Sequence, residues 1–446
     1  MLINSKEAFD KNIGSGNEWI SFDEEVNFNI NTAEENGLNF RIENKDFANS
    51  VRIDGEKLGT IAFVECTLKS IDLGPNLKMS NIQFIRCTIG EFDLDSFAEL
   101  GRCLFQACNR IGKIFISPEC QLSLLLIVDN KDIQRIDVMG KVDRISISNR
   151  SNEFKDSTNW EYLIPELWID LNEVQLLSID RLLINKLDLK DANSNTKIEL
   201  KNSGVMSLKL KDLIKPDLKC YNIMPMDSDH ILDTSFDNCD LDGAVFHHCV
   251  FNGVSNIYSS KLRNVNSFET QWPIEFGTHP KSLMITCREL KLLHQNTGDY
   301  RNQFVYHQME MEAFKNSEWE RLKNINGFFP CLRESVEYFI KVKLPSFASN
   351  FGLSSWKPLL SYFTLLLIVV NAFILFQGPE LGLEYAFGIN PLSWDWSLFW
   401  HLLLPVHSRG FNGVDLNIGI DSVWRILASF YIYHLILSSR RLLQQR

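Results

Sequence analysis

The sequence lacks a basic surplus: 45 Lys and Arg stand against 56 Asp and Glu, a formal net charge of −11 over 446 residues. Nucleic-acid-binding surfaces need a cationic face to neutralise phosphates, so no nucleic-acid partner is expected. The N-terminus, MLINSKEAFDKN, lacks the apolar core of a signal peptide. The ten cysteines form no C-x-x-C pair and no short disulfide framework, which together with the missing leader points to a reducing cytoplasm. No phosphate-binding G-x-x-x-x-G-K-S/T, G-x-S-x-G nucleophile turn or H-E-x-x-H metal motif occurs. Neither an enzyme nor a cofactor or metal site is therefore expected. Most of the long apolar runs lie in the C-terminal part of the chain, beyond about position 350.

What is there is a repeat. Phe63-Val64-Glu65-Cys66 returns as Phe84-Ile85-Arg86-Cys87 and as Phe105-Gln106-Ala107-Cys108, a constant period of about 21 residues. Extended both ways, the column reads Ile42, Phe63, Phe84, Phe105, Leu126, Ile147, Trp168, Leu189, Leu210 and Ile231, all apolar. A five-residue rhythm runs inside each period: Phe63, Leu68 and Leu73 are each preceded two residues earlier by Ile61, Cys66 and Ile71. An apolar-x-apolar step every five residues puts two side chains inward on each short side of a coil, with a corner between. This predicts a β-solenoid over 38–278, with Cys66, Cys87 and Cys108 stacked as a ladder of buried thiols. The rhythm is cleanest at Phe236, Leu241, Phe246 and Phe251. There it turns Cys239 and Cys249 inward and His247 and His248 outward, so packing is preferred to a zinc site.

The stretch T-S-F-D-N-C-D-L-D-G-A-V-F-H-H-C-V-F-N-G at 234–253 resembles the pentapeptide-repeat family. The resemblance implies a right-handed quadrilateral β-helix with four five-residue sides, here a rod of about ten coils and roughly 50 Å. The earlier coils depart from the family by using large apolar residues, and polar residues 150–165 read as an inserted loop.

Beyond about residue 278 the period becomes helical, with helices expected at 281–296 and 299–323 around Thr297-Gly298-Asp299. The run C-R-E-L-K-L-L-H-Q-N-T-G-D-Y-R-N-Q-F-V-Y-H-Q-M-E-M-E-A-F-K, residues 349–359 and the terminal Y-I-Y-H-L-I-L-S-S-R-R resemble a group of bacterial membrane proteins. In that group such segments follow pentapeptide repeats. The resemblance implies an ion-channel-like transmembrane domain. The resulting division is an N-terminal cap at 1–37, the solenoid at 38–278, a helical hairpin and linker at 279–350, and a membrane domain at 351–446.

Residues 358–377 carry no charge along their whole length and are long enough to span a bilayer, with Trp356 and Lys357 as interface anchors. Residues 422–439 form a second span. Residues 391–405, bracketed by Pro391 and Pro405, read as a re-entrant or interfacial helix. Lys341, Lys343 and Lys357 flank the first span, and Arg440, Arg441 and Arg446 the last. The positive-inside rule then puts both ends and the solenoid on the cytoplasmic side of the inner (plasma) membrane, as a multi-pass protein. No T-V-G-Y-G filter is present, so potassium selectivity is unsupported. Ionisable groups near bilayer depth are functional candidates. The pore or interface candidates are His401, His407, Arg409, Arg425 and His434, with Asp415 and Asp421 nearby. Arg425 and His434 are nine residues apart and point to nearly opposite helix faces. His434 is expected to face a symmetry axis and Arg425 to act as an interface anchor.

One two-span subunit cannot enclose a pore, so conduction requires a homo-oligomer. The leading expectation is a cytoplasmic solenoid that binds a protein or ligand and couples it to an oligomeric pore-like or membrane-perturbing domain. The alternative is a membrane-tethered interaction scaffold without conductance. In both, the bilayer is a partner.

Overall fold

Inward positions spaced two and then three residues apart turn the chain four times per coil. In one coil the pairs are Leu77 and Met79, Ile82 and Phe84, Cys87 and Ile89, and Phe92 and Leu94, all at most 3% exposed. The two-residue step is strand geometry, and the three-residue step makes a corner. Repeated, this gives a parallel β-solenoid of about ten turns at about 21 residues each, followed by a helical region with two apolar helices. The computed structural model describes 40–149 (apart from 55–57, 76 and 95–96), 163–226, 231–276 (apart from 263 and 275), 280–324, 328–343, 346, 356–377, 380 and 396–444 (apart from 412), with short strands at 2–3, 20–22 and 26–29. Most of the expected 1–37 cap, most of the 150–165 loop, the 349–355 lead-in, 391–395 and Arg446 lie outside these residues. Strands Ile20–Phe22 and Val26–Asn29 pair in parallel with Lys45–Asp54, so solenoid pairing begins upstream of residue 38.

Register decides which side chains stack. Phe63 pairs with Phe84 and Phe84 with Phe105, their rings 5.4 and 5.0 Å apart and nearly parallel. The column then departs from a fixed period. Phe105 sits opposite Ile127, one position later than a constant count would place its partner, and Ile127 sits opposite Ile147, one position earlier. Leu126 therefore faces outward. The insertion beyond Ile147 then shifts the column to Ile179. Trp168 instead pairs with Asp137 on the outside of the opposite wall, Leu189 and Leu210 line that wall's interior, and Ile231 is 53% exposed. Side-chain direction in a strand has period two, so a one-residue change in coil length reverses the face. Phe236, Leu241, Phe246 and Phe251 are all buried, and the Phe246 and Phe251 rings lie 5.4 Å from Trp272.

The cysteines explain the corners. Glu65, Arg86 and Ala107 adopt left-handed conformations (φ 55°, 56° and 52°), each stabilised by its N–H donating to the next coil at 2.9 Å. Such a turn is costly for a side chain with a Cβ. It also aims carbonyls into an apolar interior, where an unmet acceptor is unfavourable. The residue that follows supplies the donor. Cys66 Sγ donates to the Val64 and Ile42 carbonyls (3.3 and 3.5 Å), and Cys87 to Ile85 and Phe63 (both 3.4 Å). Cys108, Cys239 and Cys249 repeat the arrangement. Asn130, Ser260 and Thr270 do the same with amide or hydroxyl donors. Among the described residues no disulfide joins the thiols; nine cysteines are free and buried.

A solenoid must also end. Its open edge is covered by α1 (Pro280–Thr297), whose Thr286 hydroxyl donates to the Ile257 carbonyl at 2.6 Å and whose Glu289 carboxylate accepts from the Leu262 N–H at 3.2 Å. Cys287, Leu290 and Leu293 are fully buried. The first expected linker helix is thus part of the solenoid unit, which runs to Thr297.

The second unit, Gly298–Arg446, begins with α2 (Tyr300–Lys323), whose N-cap Asp299 accepts from the Asn302 N–H. It continues with α3 (Phe328–Tyr338) and a π-helical turn Phe339–Lys343. Then come α4 (Trp356–Gln377), α5 (Trp396–Leu402), a two-residue-stranded hairpin at Gly410–Phe411 and Val414–Asp415, and α6 (Ile418–Gln444). Only α4 and α6, among the described helices, are long and apolar enough to cross a membrane. The short helix α5 rises about 10 Å, a third of a bilayer core.

Two outcomes follow from the corner thiols. Cys87→Ser, which keeps a donor, should change stability by a few tenths of a kcal/mol, about the lower limit for one hydrogen bond, whereas Cys87→Val should cost about 1–1.5 kcal/mol by removing the donor to the Ile85 and Phe63 carbonyls. Denaturation midpoints of the full-length variants in detergent measure this; equal effects would refute the donor role. Burial pushes Cys108, Cys239 and Cys249 up to about 11. They should resist alkylation in the folded protein at about pH 9, where an unperturbed thiol of about 8.5 is largely thiolate. Because the folded values are raised, the stability linked to these thiols is fully present below about 8.5 and lost as pH climbs towards 11. Rapid labelling at pH 9 without unfolding would contradict this.

Candidate functional site

The polar residues of the second unit converge where α5, the following loop and the start of α6 meet. Asn417 sets that start: its side-chain oxygen accepts from the Gly419 and Ile420 N–H groups (3.0 and 3.3 Å), an N-cap. Asp421 follows in the first turn, where the helix dipole favours a carboxylate. Below it, one core joins α4, α5 and α6 through Leu366, Phe373, Leu398, Leu402, Trp424 and Ala428, all fully buried.

Asp421 lies between the His407 ring and the Arg425 guanidinium. Its Oδ1 is 2.8 Å from His407 Nε2, and its Oδ2 accepts from Arg425 Nε at 2.8 Å. The His407 and Asp421 side chains are 4% and 3% exposed, and Arg425 is 29% exposed. Arg425 spends the rest of its fork on main-chain carbonyls, Nη1 to Pro405 (3.2 Å) and Nη2 to His407 (2.8 Å). The other ring nitrogen of His407 is 2.8 Å from the Leu404 carbonyl. Both ring nitrogens thus face acceptors, and only the imidazolium, with two N–H groups, can donate to both. Two neutral donors anchor the same loop: Trp424 Nε1 to the Leu402 carbonyl at 3.0 Å, and the Tyr362 hydroxyl to the Leu403 carbonyl. Further on, Gln377 at the end of α4 accepts from the Asn417 N–H at 2.7 Å.

The structure brings three of the five candidates together, His401, His407 and Arg425. His401 Nε2 is 3.0 Å from the Ser408 carbonyl, and its ring lies 5.2 Å from that of His407. Arg409 is exposed and outside the network. His434 stands apart: it is 8% exposed and its ring is 4.4 Å from Phe430. Arg425 is not a lone interface anchor but a clamp on the loop. The centre of the site is Asp421, and the sequence signal for it is its i,i+4 spacing to Arg425 just after an N-cap.

No family model, curated protein or solved structure matches the chain. The geometry alone therefore carries the functional reading.

Two surface hollows lie on the described part of the solenoid unit. One of about 370 Å³ runs across four coils between Lys78, Glu99, Gln121 and Lys141, over small residues Ser80, Gly101 and Ser123. A Cβ on Gly101 would lie 2.5 Å from the Ser80 carbonyl oxygen, so the strand's close approach there requires glycine. The other, about 300 Å³, lies beside Trp168, with Arg135, Glu166, Lys186 and Asp188 around it. Lys190 stands over the indole at 4.6 Å.

Removing the central carboxylate should loosen the loop. Asp421→Asn is expected to cost about 3 kcal/mol by leaving His407 and Arg425 without their shared anion. It should also speed amide exchange over 403–416. Asp415→Asn, at an exposed position, serves as the control. Equal melting temperatures and exchange for the two variants would show that the network holds nothing.

Proposed function

We propose that the protein is a membrane-anchored binding scaffold: the solenoid presents its long flanks to a cytoplasmic protein or ligand, and the helical unit holds it at the inner membrane. A solenoid followed by two apolar helices fits an anchored solenoid domain. One observation favours the scaffold over the pore. The ionisable side chains Asp421, Arg425 and His434 of α6 turn into their own subunit. From Ser422 to Ile436 the exposed stripe of Ser422, Ile426, Ser429, Tyr433 and Ile436 carries no charge, and the exposed Arg440 follows it at the basic end of the helix. An anchor needs no more than this, whereas a conduit lined by His434 would have to turn that residue out of its present packing. The hollows along the solenoid supply the binding flank, as in other solenoids whose extended surfaces recognise partners.

A second reading keeps conduction. Three hydroxyls, Ser422, Ser429 and Tyr433, share the outward stripe, and such small polar groups suit close helix association in lipid. Assembled around an axis, they would line a weakly polar path in a homo-oligomer.

Ion flux separates the two. The full-length protein in liposomes is expected to leak protons and cations no faster than empty vesicles between about pH 5 and 8, the range in which a histidine-lined path would titrate. A wild-type flux that Ser429→Leu abolishes, and His434→Leu leaves intact, would replace the scaffold by the hydroxyl-lined pore.

A further inference from the structure

We propose that α3 and its π-helical turn form a second membrane contact, an interfacial helix that lies on an anionic lipid surface. The proposal deepens the anchored-scaffold reading and rests on it.

The inner side of this segment is accounted for. Tyr338 is buried, with its ring 5.8 Å from that of Trp319 on α2, and Glu334 pairs with Arg321 at 2.8 Å. Val342, one turn beyond Tyr338, is fully buried. The other side is apolar and uncovered: Val336 is 52% and Phe339 56% exposed, three residues apart and thus neighbours on one face. Water is a poor solvent for such a face. A helix end that offers valine and phenylalanine beside basic residues has the pattern of an in-plane interfacial helix.

Charge selects the occupant. Arg333, Lys341 and Lys343 are exposed beside the apolar pair. The acidic residues of the segment are already engaged, Glu334 with Arg321 and Glu337 with Lys341. Lys341 holds the Glu337 carboxyl below its ordinary range, so that pair stays ionised. With Glu337 balanced by Lys341, Arg333 and Lys343 leave the exposed flank cationic on a chain whose net charge is −11. Each lysine or arginine near an anionic bilayer contributes about 1 kcal/mol, and partial burial of Val336 and Phe339 adds to this. Continuity points the same way. The turn ends at Lys343, a short way before Trp356, which opens the membrane helix α4 at 77% exposure, next to Lys357. Phe339 and Trp356 are aromatic residues of the kind that populate the headgroup level.

The test uses the full-length protein in vesicles with lipids brominated along the acyl chain, at either 30% or no anionic lipid (about the extremes over which surface charge matters). A fluorophore is attached through Val336→Cys, Phe339→Cys or, as a marker for α4, Ile368→Cys, counted against labelling of the unsubstituted protein. Quenching of about half or more is expected at 336 and 339 in anionic vesicles, and at 368 in both. Lys341→Gln with Lys343→Gln should bring quenching at 336 and 339 down to the level in uncharged vesicles. A fluorophore at 368 that is quenched while 336 and 339 are not would overturn the interfacial helix and leave the anchor intact. Protection of 336 and 339 from aqueous iodide without quenching by lipid would assign the face to a protein surface instead. No quenching at 368 would remove the anchor, and the proposal with it. Quenching at 336 and 339 that ignores lipid charge would refute the role of the basic flank.

Discussion

A parallel ladder fixes the vertical neighbour of every side chain, and the solenoid is the consequence of that constraint. Because each coil bonds its main chain to the next, an inward residue always lies on another inward residue about 4.8 Å away. Apolar positions then need no long-range design beyond matching the coil below. Phe63, Phe84 and Phe105 meet this by stacking their rings. The constraint has a second edge at the corners, where the chain turns left-handed and points carbonyls at the interior. There the ladder supplies one main-chain donor to the Val64, Ile85 and Gln106 carbonyls, and a side chain adds a second. Thiol, hydroxyl and amide all serve, which is why Cys66, Cys87, Cys108, Asn130, Ser260 and Thr270 share one position despite their different chemistry. Cysteine suits the place because it is small, apolar and still a weak donor.

The same constraint sets what could be seen in advance. The coil, its five-residue rhythm and the inward thiols are local patterns, and they are visible wherever the period holds. The period is not a rule of the fold, however. The ladder requires only that neighbours align, so a coil may be one residue longer or shorter if a corner absorbs the difference. Counting by a constant period therefore places Leu126 inside, although Ile127 is the residue that stacks on Phe105. Trp168 shows the larger error: after the insertion beyond Ile147 the count lands on the outside of the other wall, opposite Asp137. The end of the solenoid was hidden for a different reason. Nothing in the sequence of α1 says that Thr286 and Glu289 will meet the open edge, because those partners, Ile257 and Leu262, are far back along the chain.

In the helical unit, the elements were legible and their polar logic was not. Two apolar stretches with basic flanks announce α4 and α6, and prolines announce a break around α5. The candidate list followed charge near bilayer depth and named His407 and Arg425 without linking them. Their common partner, Asp421, lies at a helix start, where a carboxylate is ordinary and so draws little notice. His434 shows the limit of helical-wheel reasoning. Opposite faces of a helix need not mean one face to a pore and one to lipid. In α6, Arg425 reaches back to the carbonyls of Pro405 and His407, and His434 is buried in the subunit itself.

In the anchored scaffold proposed above, this inward placement of charge bears on how the helical unit could sit in a bilayer. An ionised group facing hydrocarbon costs several kcal/mol, so a two-helix subunit with outward charges would depend on its neighbours from the moment of insertion. Asp421, shared by His407 and Arg425, and Arg425, with all three of its bonded nitrogens on acceptors, remove that dependence. The loop between α5 and α6 is fixed by the same bonds, with Trp424 and Tyr362 adding neutral donors to consecutive carbonyls at Leu402 and Leu403. A subunit that satisfies its own polar groups can insert singly, and any association then rests on the uncharged stripe of Ser422, Ile426, Ser429, Tyr433 and Ile436. Contacts of that kind are weak in lipid, about 0.6 kcal/mol for a typical interhelical hydrogen bond.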